Sequence, residues 1–490
     1  MILAETLLFF LALIDNDMSA NSLNVTCSGS GEQDNENTEA VVSEVVSGKC
    51  VKVPLDEHIS AHFNKNNLVR QEEPLKCSSN LIDKVIQNYI IVKQILSNLS
   101  WQDKLICELV CTTWNSAVQT LRREQLSPGD FVTDFRTHSL TCGTVYKQSG
   151  KFYNNPLVVM AFVNTSGFNM SCQCKLIKPS PCLQPCKKEH CLIDVVYKIS
   201  CAPKDCMNII RSDYITYMPL PQSVTFEHTL TNLKSHPFIG GLYIPVIPDV
   251  KFHTINLKSN GNMQEDFYNV VEEIAKDRTF KGVLVYVTDK YLLRSVEDIV
   301  FLNYLKDVQP NVPYALGGCI IEDTIFEQRD IDGIVVGVNK GNDFISENLI
   351  SMSIFTIPKD TPCNEYNFEM FSFILESSDW TKAKIQQAIN EFSKKVPKFE
   401  YSVVIKLSCV GRDQKHKWEQ ECFRAVFPNT RIIGCFGNGE IGLNHPTRPP
   451  PVVPTNCVKR QRHDSGPQFG IVYSYSTVFV YIGWGKMTPP

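Results

Sequence analysis

Apolar positions first recur at helical spacing near residue 81. Leu81/Val85 and Ile82/Ile86 are i,i+4 pairs, and Ile91, Val92, Ile95, Leu96 and Leu99 continue an apolar stripe. Ser100 and Asp103 form a Ser-x-x-Asp start signal for another helix. On it Leu105/Leu109, Ile106/Val110 and Cys107/Cys111 repeat at i,i+4, and Trp114, Val118 and Leu121 follow before Ser127-Pro128-Gly129 ends the unit. Three short helices cannot cover this much apolar surface themselves. A partner or a neighbouring domain is expected to bury the excess.

Beyond residue 130 the pattern changes. Leu157–Val163, Ile193–Ile199 and Gly241–Ile247 read as strands between Pro-, Ser- and Cys-rich loops. From residue 262 helices and strands alternate. Met263, Phe267, Val270, Val271 and Ile274 share a helical face, and a helix entered at Ser295–Asp298 carries Ile299, Leu302 and Leu305. Ile385, Ile389 and Phe392 mark one further helix, and Trp418, Cys422 and Val426 another. Val283–Val287, Pro313–Ile320, Gly333–Val338, Tyr401–Leu407 and Arg431–Phe436 read as strands, and 471–482 as one or two more. Sheets covered by helices follow, an α+β class. No repeat of fixed period is visible.

The formal charge is −4 over 490 residues, which argues against a coat for nucleic acid or an anionic membrane. No apolar run reaches 18 residues, so no spanning helix is expected. The 19 cysteines are scattered mostly singly, as free thiols in a reducing compartment would be. Residues 1–79 read as a disordered or extended tail. The apolar Ile2–Ile14 segment lacks the basic start and cleavage site of a secretory signal, and Met18 is an alternative start. The sequons at Asn24, Asn98, Asn164 and Asn169 are then chance matches.

Ile91-Val92-x-x-Ile95-Leu96-x-x-Leu99, then Leu105-x-x-x-Leu109-Val110-Cys111-x-x-Trp114, resembles the F-box motif, although the usual Leu-Pro opening is replaced by Tyr89-Ile90. The resemblance implies a helical module over 80–128 that docks on the adaptor Skp1 through those ten residues, and through it joins cullin–RING subunits. Leu407-Ser408-Cys409-Val410-Gly411-Arg412, Glu421-x-Phe423-Arg424-x-x-Phe427-Pro428 and Ile433-Gly434-Cys435-Phe436-Gly437-Asn438-Gly439-Glu440-Ile441-Gly442 look like the end of a FIST C-terminal domain, a module linked to small-ligand sensing. Residues 262–340 are similar, more faintly, to the end of a FIST N-terminal domain. F-box followed by FIST is the architecture of the F-box only protein 22 family. That resemblance implies FIST-like domains at 129–345, with a Cys-rich insertion at 172–206, and at 346–490.

Read without the family, Gly437-x-Gly439-x-x-Gly442 fails as a dinucleotide site, because Asn444-His445-Pro446 follows where a helix is needed. Asn438-Gly439 reads as a hairpin turn with both residues at positive φ. Cys409, at a strand's carboxyl end, is either small core filler or a contact thiol whose pKa Arg412 and nearby N–H groups would lower. His416, the nearest base in sequence, is expected to face solvent. Cys409, Gly411, Arg412, Asn438, Gly439 and Glu440 are the candidate client- or ligand-binding set. Cys172, Cys174, Cys182, Cys186 and Cys191, with His190 nearby, contain no C-x₂-C pair and read as free thiols, with a structural zinc site as the alternative. Arg448–Pro454 matches a polyproline ligand and Lys459–Arg462 a nuclear import cluster, though each also suits a solvated loop.

The expectation is a non-catalytic, cofactor-free substrate receptor of a Skp1–cullin–F-box ubiquitin ligase. It would bind protein clients, touch neither nucleic acid nor membrane, and work in cytoplasm and nucleus. A FIST ligand sensor and a Cys-dependent enzyme are the alternatives.

Overall fold

The computed structural model describes residues 84–136, 143–149, 152–182, 184, 186–200, 202–220, 230–231, 237–258, 262–292, 301–336, 344–359, 366–376, 380–447, 472–473 and 475–488. The expected tail, Met18, Asn24, the Leu81/Ile82 pairs, the Ser295 helix start, the polyproline match and the basic cluster lie outside them.

The chain divides into two compact units, residues 103–120 joining those up to Leu99 in the first and the remainder forming the second. In the first unit α1 (Tyr89–Leu96) opens on Asn88, whose side chain accepts from the N–H groups of Ile90 and Ile91. The helix α2 (Trp101–Cys107) and the helix α3 (Thr112–Glu124) follow, Trp101, Gln102 and 121–124 counting with the second unit. Val92, Leu96, Leu99, Cys107, Trp114, Ala117 and Val118 are buried. Trp114 Nε1 donates to Ile86 O at 3.2 Å, so the largest apolar side chain is also fixed by its polar edge.

The second unit contains one strand arrangement three times, which the sequence concealed. The first copy runs from β1 (Gly129–Arg136) and β2 (Gly143–Gln148) through β3 (Pro156–Val163), α4 (Thr165–Phe168), β4 (Ser171–Gln173), β5 (Ile177–Lys178), β6 (Glu189–Cys191), α5 (Leu192–Ser200), β7 (Met207–Arg211), β8 (Tyr214–Met218) and β9 (Leu230–Thr231) to β10 (Phe238–Pro245). The second comprises β11 (Lys251–Lys258), α6 (Met263–Asp277), β12 (Arg278–Thr288), α7 (Asp289–Leu292), α8 (Tyr304–Val308), β13 (Ala315–Ile321), β14 (Asp323–Ile325), α9 (Gln328–Val336) and β15 (Asn348–Pro358). The third comprises β16 (Glu369–Leu375), α10 (Lys382–Ser393), β17 (Lys398–Cys409), α11 (His416–Val426), β18 (Arg431–Gly437), β19 (Glu440–Gly442), β20 (Val472–Tyr473) and β21 (Thr477–Thr488).

The sheets read β1-β10-β3-β7-β14, β11-β15-β12-β13-β19 and β16-β21-β17-β18-β8, with β2 and β5, β20, and β9 respectively added at an edge. In these orders β10 lies between β1 and β3, β15 between β11 and β12, and β21 between β16 and β17. The neighbours β3 and β7, β12 and β13, and β17 and β18 are parallel, as a helical crossover allows. The fifth strand is always borrowed: β14 of the second copy joins the first sheet, β19 of the third joins the second, and β8 of the first joins the third. This ring of exchanges interlocks the copies. The expected boundary at 345/346 falls just before β15, which pairs with β11 and β12, so the second sheet runs across it.

The inner faces of all three sheets share one core, to which Met160, Leu242, Tyr286, Phe355, Ile405 and Val480 belong. Helices cover the outer faces. Phe267 and Val271 of α6 pack on the second sheet, and Ile385, Ile389 and Phe423 of α10 and α11 pack on the third. The described residues thus form several mixed sheets with helices and no closed barrel, in accord with the α+β expectation. No described helix is long and apolar enough to cross a membrane.

Four local expectations need correcting. Ile193–Ile199 is helical within α5, and Gly333–Val336 lies in α9. Both are β-branched runs whose strand propensity is overridden by packing. Trp418 is 38 % exposed, whereas Cys422 is buried as expected, and the buried stripe of α11 is His416, Glu419, Gln420, Cys422 and Phe423. Asn438-Gly439 is no hairpin, because β18 and β19 belong to different sheets and Asn438 is not at positive φ. Close approach explains the glycine before it: a Cβ on Gly437 would lie 2.4 Å from Ile320 O of the neighbouring sheet.

Candidate functional site

Two places gather the residues that the sequence singled out for binding. In the helical unit the ten adaptor-contact candidates divide by exposure. Val92, Leu96, Leu99 and Trp114 are buried, so they do not face solvent. Ile95, Leu105, Val110 and Cys111 are half-buried, and Ile91 is exposed. Leu109 is 83 % exposed. Ile90 and Ile106, outside the candidate set, are 77 % and 62 % exposed. Ile90 on α1, Ile106 near the end of α2 and Leu109 just after it thus add exposed apolar surface to the unit.

The second place is the carboxyl end of β17 and β18. Cys409 ends β17 opposite Gly437 in the ladder, and the chain then turns through 410–415 into α11. All six candidates gather here. Cys409 is half-buried beside the Glu440 carboxyl. Glu440 is fully buried at the start of β19, and its Oε2 accepts from Ser476 N at 3.1 Å and Ser476 Oγ at 2.8 Å. Arg412 is buried, with Nε on Glu419 Oε1 at 2.6 Å and Nη1 on Tyr475 O at 2.7 Å. Gly411 lies under the exposed Tyr475 ring, where a Cβ would come within 2.8 Å. Asn438 is exposed, with its N–H on Ile320 O at 3.1 Å.

Sequence reasoning missed what lies beneath. Lys406 is fully buried on β17, 3.4 Å from Glu419 Oε2, which also accepts from Thr477 Oγ1 at 2.8 Å. Burial brings the Lys406 ammonium down to about 8, although Glu419 pulls it up. His416 does not face solvent. Its ring is buried edge-on to Phe436 at 4.2 Å with Nδ1 3.5 Å from Lys406 Nζ, and burial and the Lys406 and Arg412 charges bring it down to about 2. The only available signal was a lysine inside the apolar run Tyr401–Leu407.

The Cys409 thiol is raised, not lowered as expected. Burial and the Glu440 carboxylate outweigh the N–H groups of Gly411 and Tyr475. Cys409 is therefore a protonated thiol beside a carboxyl, a donor and an acceptor without an imidazole partner. Burial pushes the Glu440 carboxyl from 4.5 up to about 7, against the Ser476 hydrogen bonds and the Arg412 charge. Between those two values the folded protein keeps a proton that the unfolded chain has released, so this group's contribution to stability falls as pH rises through that window. Glu440→Gln keeps the shape without the titration. Wild type and variant are expected to match in urea melts near the lower pH, with wild type weaker by about 3 kcal/mol above the upper one. Parallel stability curves would contradict this.

The Cys-rich segment is sorted by its small ladder. Strands β4 and β6 pair so that Cys172 lies opposite His190. Cys174, Cys182, Cys186 and His190 bring their ligand-type atoms within 4.8 Å of one another. Cys172 and Cys191 fall outside this group, which corrects the five-cysteine candidate set. Cys191 Sγ instead accepts from Asp194 N at 3.4 Å.

No protein-family model matches the chain, and no curated protein matches it. Among solved structures, cyanuric acid hydrolase from A. caulinodans is similar at 7 % identity with a TM-score of 0.26, covering 68 % of this chain and 92 % of that one. A likeness that faint carries no argument about function.

Proposed function

We propose that this chain is the substrate-recognition subunit of a Skp1–cullin–F-box ubiquitin ligase, of the F-box–FIST kind. The F-box-like segment at 80–128 binds Skp1, and the FIST-like segments at 129–345 and 346–490 bind the protein to be ubiquitinated. The observation that carries this reading is Leu109, 83 % exposed within the Leu-Val-Cys-x-x-Trp sequence, with Ile106 and Ile90 also open. Such side chains suit a partner's helices. The chain contributes effective concentration, keeping client lysines near a thioester that other subunits carry, and performs no chemistry itself. Specificity is a difference of affinities, in which the half-buried Cys409 and the exposed Asn438 are proposed to contact the client, while buried Arg412 and Glu440 hold that strand end in place. The cytoplasm and nucleus are the proposed sites of action.

Affinity purification of the full chain from cells with the proteasome blocked tests this reading. Skp1, a cullin and ubiquitinated clients are expected together. Recovery of the chain without Skp1 would overturn the proposal. Cys409→Ala is expected to leave Skp1 capture unchanged while altering client capture, and an unchanged client set would remove that residue from the recognition surface.

A further inference from the structure

The segment between β4 and β6 cannot stabilise itself by apolar burial. Lys175, Lys178, Ser180, Gln184, Lys187 and Lys188 are exposed, and Ile177 is its one buried aliphatic side chain among the described residues. What converges inside is sulfur and imidazole. Cys182 Sγ lies 3.9 Å from Cys186 Sγ and 3.7 Å from His190 Nε2, and Cys186 Sγ lies 3.2 Å from the same nitrogen. Cys174, fully buried at the end of β4, belongs to the same cluster. Zinc bonds of about 2.3 Å to sulfur and 2.0–2.1 Å to nitrogen give tetrahedral edges of about 3.8 and 3.6 Å. The observed separations bracket those edges.

We propose that Cys174, Cys182, Cys186 and His190 bind one zinc ion, and that this ion holds the 174–190 loop in place. The surroundings are those of a metal site rather than of four idle side chains. His190 Nδ1 lies 2.5 Å from the buried carboxylate of Asp194 on α5, which orients the ring so that Nε2 faces the sulfurs. A carboxylate behind a histidine in this way is the usual support of a zinc ligand. Lys198, one turn further along α5, lies 3.2 Å from Asp194 and 3.8 Å from Cys182 Sγ, placing positive charge beside a ligand set that three thiolates would leave with net negative charge. Ser180 Oγ lies 3.7 Å from Cys174 Sγ. Sulfur and imidazole donors exclude calcium and magnesium, and three thiolates with one imidazole match structural zinc rather than the four thiolates of common iron–sulfur clusters. Four protein donors leave no open position, so the ion is structural. The loop runs from β4 to β6, and β6 leads directly into α5, so its closure secures the start of α5, whose Leu192, Ile193, Val195 and Val196 are buried. The spacing C-x₃-C-x₃-H from Cys182 to His190 is visible in sequence, but the fourth ligand could be selected only after β4 and β6 were paired.

The test is metal analysis of the full-length protein purified without chelator or metal-affinity resin. About one zinc per chain is expected in wild type and in Cys172→Ser, and close to none in a Cys182→Ser/His190→Ala variant. Zinc near zero in wild type, a Cys182–Cys186 disulfide in its place, or full zinc in the double variant would overturn the proposal. Because the double variant can lose folding, wild-type protein is also exchanged into cobalt. Strong thiolate-to-cobalt absorption with intense visible bands of a tetrahedral ion is expected, and the weak spectrum of octahedral cobalt would contradict it. Chelation of native wild type is expected to raise hydrogen exchange over 174–190 and the start of α5 while β12 and β17 stay protected.

Discussion

Replacing Glu419 by glutamine is expected to cost the fold about 3–5 kcal/mol, because it leaves two buried cations without their shared anion. Lys406, Arg412 and Glu419 are all fully buried, and Glu419 is the ion-pair partner of both. The complementary substitution behaves differently. Lys406→Met leaves the Arg412–Glu419 pair intact at 2.6 Å and removes an ammonium whose pKa burial has already brought down to about 8. It is therefore expected to change stability by no more than about 1 kcal/mol near pH 7, and replacement of buried charge by packed apolar volume can even stabilise. The lysine also carries a pH signature. The unfolded chain keeps its proton up to 10.5 while the folded protein releases it near 8, so this group's contribution to stability rises with pH between those values. Lys406→Met removes that rise. Urea melts at several pH values read both effects. Equal costs for the two substitutions would mean that the cations do not share Glu419 as described.

The second large effect concerns Trp114. Trp114→Ala is expected to destabilise the helical unit by about 3–5 kcal/mol and to abolish adaptor capture, although the side chain is buried and meets no partner. The substitution empties the place of the largest apolar side chain in the unit and leaves Ile86 O without its indole donor. Leu109→Asp serves as the contrast. At 83 % exposure it is expected to shift stability by less than about 0.5 kcal/mol while still abolishing capture. Thermal melting followed by helical circular dichroism, alongside adaptor binding, separates a residue that builds the unit from one that meets the partner. Melting curves for Trp114→Ala that match wild type would contradict its structural role.

Much of the second and third copies was legible because their strands are continuous apolar runs and their helices have one apolar face. Val283–Val287 and Tyr401–Leu407 fall inside β12 and β17, and Ile385, Ile389 and Phe392 are the buried stripe of α10. The threefold repetition was not legible, because it resides in strand order rather than in side chains. Its faint echo is Gly318-Cys319 on β13 and Gly434-Cys435 on β18, whose sulfurs meet 3.5 Å apart in the common core. Helix α5 was misread because Ile193, Val195 and Val196 look like strand residues, and burial of this helix decides against propensity. At the candidate site, Cys409, Arg412 and Glu440 were visible as unusual residues at a strand end. The charges of Lys406 and Glu419 were not, since an isolated lysine or glutamate in sequence is ordinarily solvated and only the packing of α11 on the third sheet brings these two together.

The direct test of the account is titration of the purified full chain with purified Skp1. A saturable one-to-one complex is expected, weakened at least about 100-fold by Leu109→Asp and unchanged by Cys409→Ala. Absence of binding by folded wild type, or equal affinity of the Leu109→Asp variant, would contradict it.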